Sequence, residues 1–140
     1  MAKQIPIEKQ IISGKRKTAI AKVRIRQGKG NITFNKLPYI ELPLFHKLAL
    51  AEPLRIYQRE FGDDLKYDLH VKTSGGGKTS QIQAARLAIA RALLKITGSD
   101  TLKKAFLAYD RHLIVQDARR KEAYKPGDSK ARSRRQKSYR

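Results

Sequence analysis

The last 22 residues, Arg119 to Arg140, limit what this chain can fold. They hold ten Lys or Arg, two acidic residues, and no Leu, Ile, Val, Phe or Met. Such a segment cannot bury enough apolar surface to offset the entropy of ordering itself. The core must come from residues 1–118, and residues 119–140 are expected to be an extended tail that takes shape only against something negative. A phosphate backbone is the fitting partner, because it releases condensed counterions when Lys and Arg replace them. At ~3.3 Å per residue the tail reaches roughly 70 Å.

With 140 residues and 40% hydrophobic content, the chain suits one compact domain plus that tail. Net charge is +20, of which the tail supplies +8. The body keeps +12, a surplus that repels itself and that a polyanion would screen. No stretch approaches ~18 apolar residues, so no spanning helix is expected. The opening residues show no long apolar run, and no secretory signal is expected. Cysteine is absent, which excludes disulfides and thiolate metal sites.

Ala19, Ala21, Val23 and Ile25 alternate with Ile20, Lys22, Arg24 and Arg26, the period of a half-buried strand. Gln27-Gly-Lys-Gly30 reads as a turn and 31–35 as the returning strand of a hairpin. Lys22, Arg24 and Arg26 then share one face, adjoined by Lys15, Arg16, Lys17 and Lys29, with no acid from Ser13 to Leu37. That concentration favours contact with a polyanion over a merely solvated face.

Residues 38–62 read as mostly helical and broken by prolines, with Pro43 and Pro53 suited to first turns. Leu44, Phe45, Leu48, Leu54 and Ile56 are expected in the core. From Glu41 to His70 there are six acids against four bases. That stretch reads as the face turned from the polyanion, or as one meeting a basic partner protein. Leu65 to Thr73 alternates as a strand. A helix follows, with Ser80 and Gln83 as a capping box and Ile82, Ala85, Ile89, Leu93 and Ile96 inward. Arg86 and Arg91 lie off that stripe, near the surface. Gly98 is a natural stop, Ser99 or Asp100 caps a second helix with Leu102, Ala105 and Phe106 inward, and 112–116 reads as extended.

Gly75-Gly-Gly-Lys-Thr79 resembles a phosphate loop. The nucleotide pattern needs Gly, four residues, Gly, Lys, then Ser or Thr, and Lys72 stands where its first Gly belongs. Nucleotide hydrolysis is therefore disfavoured. Three glycines still let the backbone approach a phosphate, and the helix start offers free N–H groups and a positive dipole end. His46, His70 and His112 lack metal-ligand spacing, and Asp63-Asp64 reads as a solvated turn. No cofactor is expected. In the tail, Tyr124 and Tyr139 interrupt the charge, where aromatics can stack on unpaired bases.

Together these segments resemble one family: small-subunit ribosomal protein S-nine, in its archaeal and eukaryotic form. The matching pieces are 14–22, Gly28-Lys-Gly30 with Ile32 and Asn35, and Gly75-Gly-Gly77 with Gln81. The rest are 88–93, Asp117, Arg119-Arg120, Glu122, Ala131-Arg132 and the ending Gln136-Lys-Ser-Tyr-Arg140. They keep the family's order and spacing. The resemblance implies an α+β fold like the second domain of ribosomal protein S-five, a mixed sheet with helices on one face. It implies no catalytic activity, and partners in ribosomal RNA and neighbouring proteins of the small-subunit head, without a membrane. Read with the charge, it makes the expected rRNA-binding residues Lys15, Arg16, Lys17, Lys22, Arg24, Arg26, Lys29, Gly75, Gly76, Gly77, Lys78, Arg119, Arg120, Lys121, Lys130, Arg132, Arg134 and Arg135. It also implies that the tail reaches peptidyl-site tRNA through Lys137, Ser138, Tyr139 and Arg140. Ala118 stands where the family often has proline, and Ser80 where it often has glycine.

Overall fold

The computed structural model describes residues 10–63, 65–127 and 130–134. Five strands and three helices follow in order: β1 (Ile11–Arg16), β2 (Ala19–Gln27), β3 (Ile32–Phe34), β4 (Leu37–Pro38), α1 (Leu44–Phe61), β5 (Tyr67–Ser74), α2 (Lys78–Thr97) and α3 (Asp100–Tyr109). Short 3-10 turns at Tyr39–Glu41 and Arg111–Leu113 precede α1 and follow α3. The fold is α+β, with one mixed sheet in the order β1-β2-β5-β3-β4.

The period of two in β2 works as expected. Ala19, Ala21, Val23 and Ile25 are buried, and Lys22, Arg24 and Arg26 are exposed. In β5, Leu69 and Val71 are likewise buried. Against this inner face packs α2, whose Ile82, Ala85, Ile89 and Leu93 are buried as its spacing predicts, while Ile96 is half-buried at the margin. Close approach of α2 to β1 requires glycine at position 14. A Cβ there would strike the Ala84 carbonyl oxygen and lie 2.8 Å from the Ala88 amide. Beside α2 lies α1, and Leu102 and Phe106 of α3 close the core.

The expected hairpin does not form. The second edge of β2 is taken by β5, antiparallel, from Ile20↔Ser74 to Gln27↔Tyr67. That register extends over nearly all of β2, far more ladder than three-residue β3 can offer. The chain instead steps past the start of β5, and β3 pairs parallel to β5 on its far side. Sequence pattern did not reveal β1 because Ile11-Ile-Ser-Gly-Lys-Arg16 does not alternate. Its partner β2 recruits it from Ile11↔Arg24 to Arg16↔Ala19.

Four further expectations are corrected. Pro53 does not break α1. It lies buried inside one 18-residue helix, and Pro43 is the N-cap rather than a first-turn residue. Leu44, Phe45 and Leu48 are exposed, and it is Leu50 and Pro53 that α1 buries. The N-cap of α2 is Gly77, so Ser80 and Gln83 form no capping box. Residues 112–116 form the 3-10 turn and its exit rather than a strand, although Leu113 is fully buried. The helix boundaries at Gly98, in left-handed conformation, and Ser99 are where the sequence puts them.

Candidate nucleic-acid interface

All three helices pack on one side of the sheet, so its other face has no cover among the described residues. Along β2 that face presents Lys22, Arg24 and Arg26. Register sets them directly opposite Lys72, His70 and Asp68 of β5. Asp68 and His70 are therefore not turned away from the basic residues but stand among them. Lys22 facing Lys72 is a like-charge cross-strand pair, unfavourable in the free protein. The Asp68 carboxylate does not neutralise this row by ion pairing. One of its oxygens accepts from the Lys29 amide (3.0 Å) and the Asn31 amide (2.8 Å), fixing the loop after β2. This contact also demands Gly28, because a Cβ there would strike the same carboxylate. Thr33 and His70 share a 2.8 Å hydrogen bond that extends the polar face toward β3. Lys15, half-buried on β1, faces Ile20.

At one end of this sheet lies the turn Gly75–Gly77. Gly75 and Gly76 adopt φ of 71° and 65°. A Cβ on Gly75 would lie 2.8 Å from the Thr18 carbonyl, and one on Gly76 3.0 Å from the Ala19 amide. These two glycines let the turn nest against the β1–β2 connection. Gly77 differs, because nothing lies within 4 Å of its added Cβ. No side chain caps the start of α2, so its first amides and dipole face the same open space as exposed Lys78. A hydrogen-bond chain holds the turn in place. Gln81 donates to the Gly75 carbonyl (3.0 Å), Thr73 donates to Gln81 (3.2 Å), and Asn35 bonds both the amide and hydroxyl of Thr73.

Beside that turn the tail leaves the body. Asp117 pairs with Arg16, whose Nε also donates to Gln83 of α2 at 2.9 Å. The same carboxylate accepts from the Arg119 amide (2.8 Å) and its guanidinium (2.8 Å), and Arg120 donates to the Lys17 carbonyl at 2.7 Å. Arg16 was expected to be an RNA-binding side chain. The structure shows it in an internal contact, with 19% of its side chain exposed and 6% of that of Asp117. Lys17, Lys29, Arg119, Arg120, Lys121, Lys130, Arg132 and Arg134 are all exposed. Arg132 pairs with Glu122 at 3.0 Å, and the Lys121 ammonium lies 4.3 Å from the Tyr124 ring centre. No helix or strand occurs among the described residues after Leu113. Arg135, Lys137, Ser138, Tyr139 and Arg140 lie outside the described residues.

Three basic residues take roles that sequence reading missed. Lys72 joins the exposed row, and its signal was its alternation with Asp68 and His70. Arg86 is not a free surface residue. It bonds Asp110 (3.0 Å) and pairs with Glu52 of α1 (2.5 Å). Arg91 donates to the Ser13 carbonyl and to the Ile114 carbonyl, both at 3.0 Å, tying α2 to β1 and to the segment that leads to the tail. Off-stripe position on a helix does not distinguish such clamps from solvated arginines.

The arrangement suits phosphate. Cations stand in rows with few competing acids, free amides open beside them, and an arginine-rich segment leaves from the same corner. No cluster of three or more His, Asp or Glu among the described residues can hold a metal. No described helix is long and apolar enough to cross a membrane. Residues 14–140 match the family model described as ribosomal protein S9/S16. A small ribosomal subunit protein uS9 of Methanococcus vannielii is 46% identical over 131 residues, covering 91% of this chain and 95% of the relative. A protein of the same name from Methanococcus maripaludis is 47% identical over the same extent. Family model and relatives agree, and the chain belongs to the ribosomal protein S9/S16 family.

Proposed function

We propose that this protein is a structural, non-catalytic constituent of the cytoplasmic small ribosomal subunit, with a body (1–118) that binds ribosomal RNA in the head and a tail (119–140) that reaches peptidyl-site tRNA. The observation that carries this reading is the uncovered sheet face with Lys22, Arg24, Arg26 and Lys72 in register. Contacts of this kind to phosphates fix position without reading sequence. The Gly77–Lys78 helix start adds amides and a cation to the same footprint, and the Asp117 contact with Arg16 directs the tail away from that corner. The fold proposed to lie behind this is the second-domain type of ribosomal protein S-five. Neighbouring head proteins complete the set of partners. A tail of this composition orders as RNA closes around it, which would couple the protein to late assembly of the head.

Two measurements test the proposal. The full chain is titrated with a small-subunit head RNA fragment and with duplex DNA at matched salt. Engagement of about six phosphates lowers RNA affinity roughly 1,000-fold between 50 and 200 mM salt. A flat salt response, or equal preference for duplex DNA, overturns RNA binding by the body. Removing residues 137–140 leaves the protein in the particle and lowers tRNA occupancy of the peptidyl site. Unchanged occupancy overturns the tail's role.

A further inference from the structure

By composition α1 belongs to the acidic part of the chain, yet the fold gathers cations on one side of it. Lys47, Leu54 and Arg55 recur at helical spacing and line a pocket of about 260 Å³, which Lys29, Tyr39 and Leu65 close from the loop after β2, the 3-10 turn and the approach to β5. Three kinds of surface meet there. Lys29, Lys47 and Arg55 supply positive charge, Tyr39 and Tyr57 aromatic rings, and Leu54 and Leu65 apolar contact. No acid lines the pocket. Glu52, on the same helix, is turned to Arg86. Among the described residues, none of the three cations is held in an ion pair. The Tyr57 ring lies 5.1 Å from that of Phe61. Burial, with Asp63 nearby, raises the pKa of its phenol, so Tyr57 offers an uncharged ring and a hydrogen-bond donor.

We propose that this pocket binds one unpaired nucleotide of the RNA, with the base against the tyrosines and the phosphate against Arg55, Lys47 and Lys29. The proposal rests on the RNA-binding reading above and adds a contact that takes a different form of RNA from the sheet face. Size selects the ligand. The volume lies near the lower end of ligand pockets, about 300 Å³, which suits a single base with its phosphate and excludes a helix. Duplex bases are stacked and turned inward, so only a base outside the stack can enter. Chemistry narrows the choice further. An acidic peptide would use the cations and leave both rings unmatched, whereas a nucleotide uses both, by stacking and by charge-assisted hydrogen bonds. Position makes the pocket reachable. The Lys29 amide is bonded to Asp68, which faces Arg26 at the end of the basic row. A strand that leaves the sheet face at Arg26 therefore meets Lys29 and then the pocket.

The test titrates the full chain with oligouridine and with an RNA duplex of equal phosphate count, over a range of salt. Tyr57→Leu is expected to lower oligouridine affinity about tenfold with its salt slope unchanged, because stacking releases no counterions. The double variant Lys47→Gln, Arg55→Gln, which alters only charge on the helix surface, should lower both affinity and slope and covers the case in which Tyr57→Leu does not fold. Duplex affinity should be nearly unchanged in both. Irradiation with oligouridine carrying 4-thiouridine should attach the base at Tyr39 or Tyr57. Attachment only in the tail, variants that bind oligouridine as the unaltered chain does, or an equal loss of duplex affinity overturns the proposal. Free uridine monophosphate that binds as tightly as oligouridine overturns RNA as the source of the nucleotide. An unaltered chain that binds neither RNA overturns the RNA-binding reading itself, and this proposal with it.

Discussion

Lys22 of β2 lies directly opposite Lys72 of β5, on the sheet face that carries no helix. Two like charges in a cross-strand pair oppose folding, and a phosphate bound between them would relieve the repulsion. Lys72→Glu converts the pair to an attractive one. It should stabilise the free protein by about 0.5 kcal/mol while weakening RNA binding and reducing the salt slope by about one. Urea titration and salt-dependent binding check both signs. A variant that gains stability without losing affinity removes Lys72 from the interface.

Asp117 fixes the root of the tail through Arg16 and the Arg119 amide. Asp117→Asn keeps the shape but leaves the largely buried Arg16 guanidinium without its counter-charge, at a cost of about 2 kcal/mol. Replacing both residues with leucine should recover most of that loss, because no unpaired charge remains. Denaturant midpoints of the two variants, compared at constant slope, decide the matter.

Glycines separate structural from functional demands. Gly14→Ala drives a methyl group into the backbone of α2 and should cost about 3 kcal/mol. Gly77→Ala meets open space and should cost only about 0.5 kcal/mol as an N-cap change. Its effect should fall on RNA affinity, reduced several-fold where a phosphate would approach the amides. Thermal unfolding and RNA titration of both variants give the contrast.

Arg91 ties three segments together through the Ser13 and Ile114 carbonyls. Arg91→Met retains the aliphatic stem and loses both charge-assisted bonds, for an expected cost of about 2 kcal/mol. Hydrogen exchange should rise at the amides of β1 and around Ile114, with the α1 amides little changed. Uniform loss of protection across the chain would contradict a local clamp.

The sequence by itself determined what depends on near neighbours along the chain. The alternation in β2 and β5, the inward stripe of α2, its stop at Gly98 and the cationic tail were all legible, because each follows from backbone period, turn chemistry or composition. Tertiary structure decided what depends on competition between distant segments. β2 had two ways to fill its second edge, and β5 prevailed over β3 by offering a longer ladder. The start of α1 had two apolar sides, and only packing against α2 settled that Leu50 goes in while Phe45 stays out. Arg16 looked like its basic neighbours until the fold brought Asp117, 101 positions away, against it. Local pattern tells which residues seek burial or a charge partner. Only the closed chain shows which of them found one.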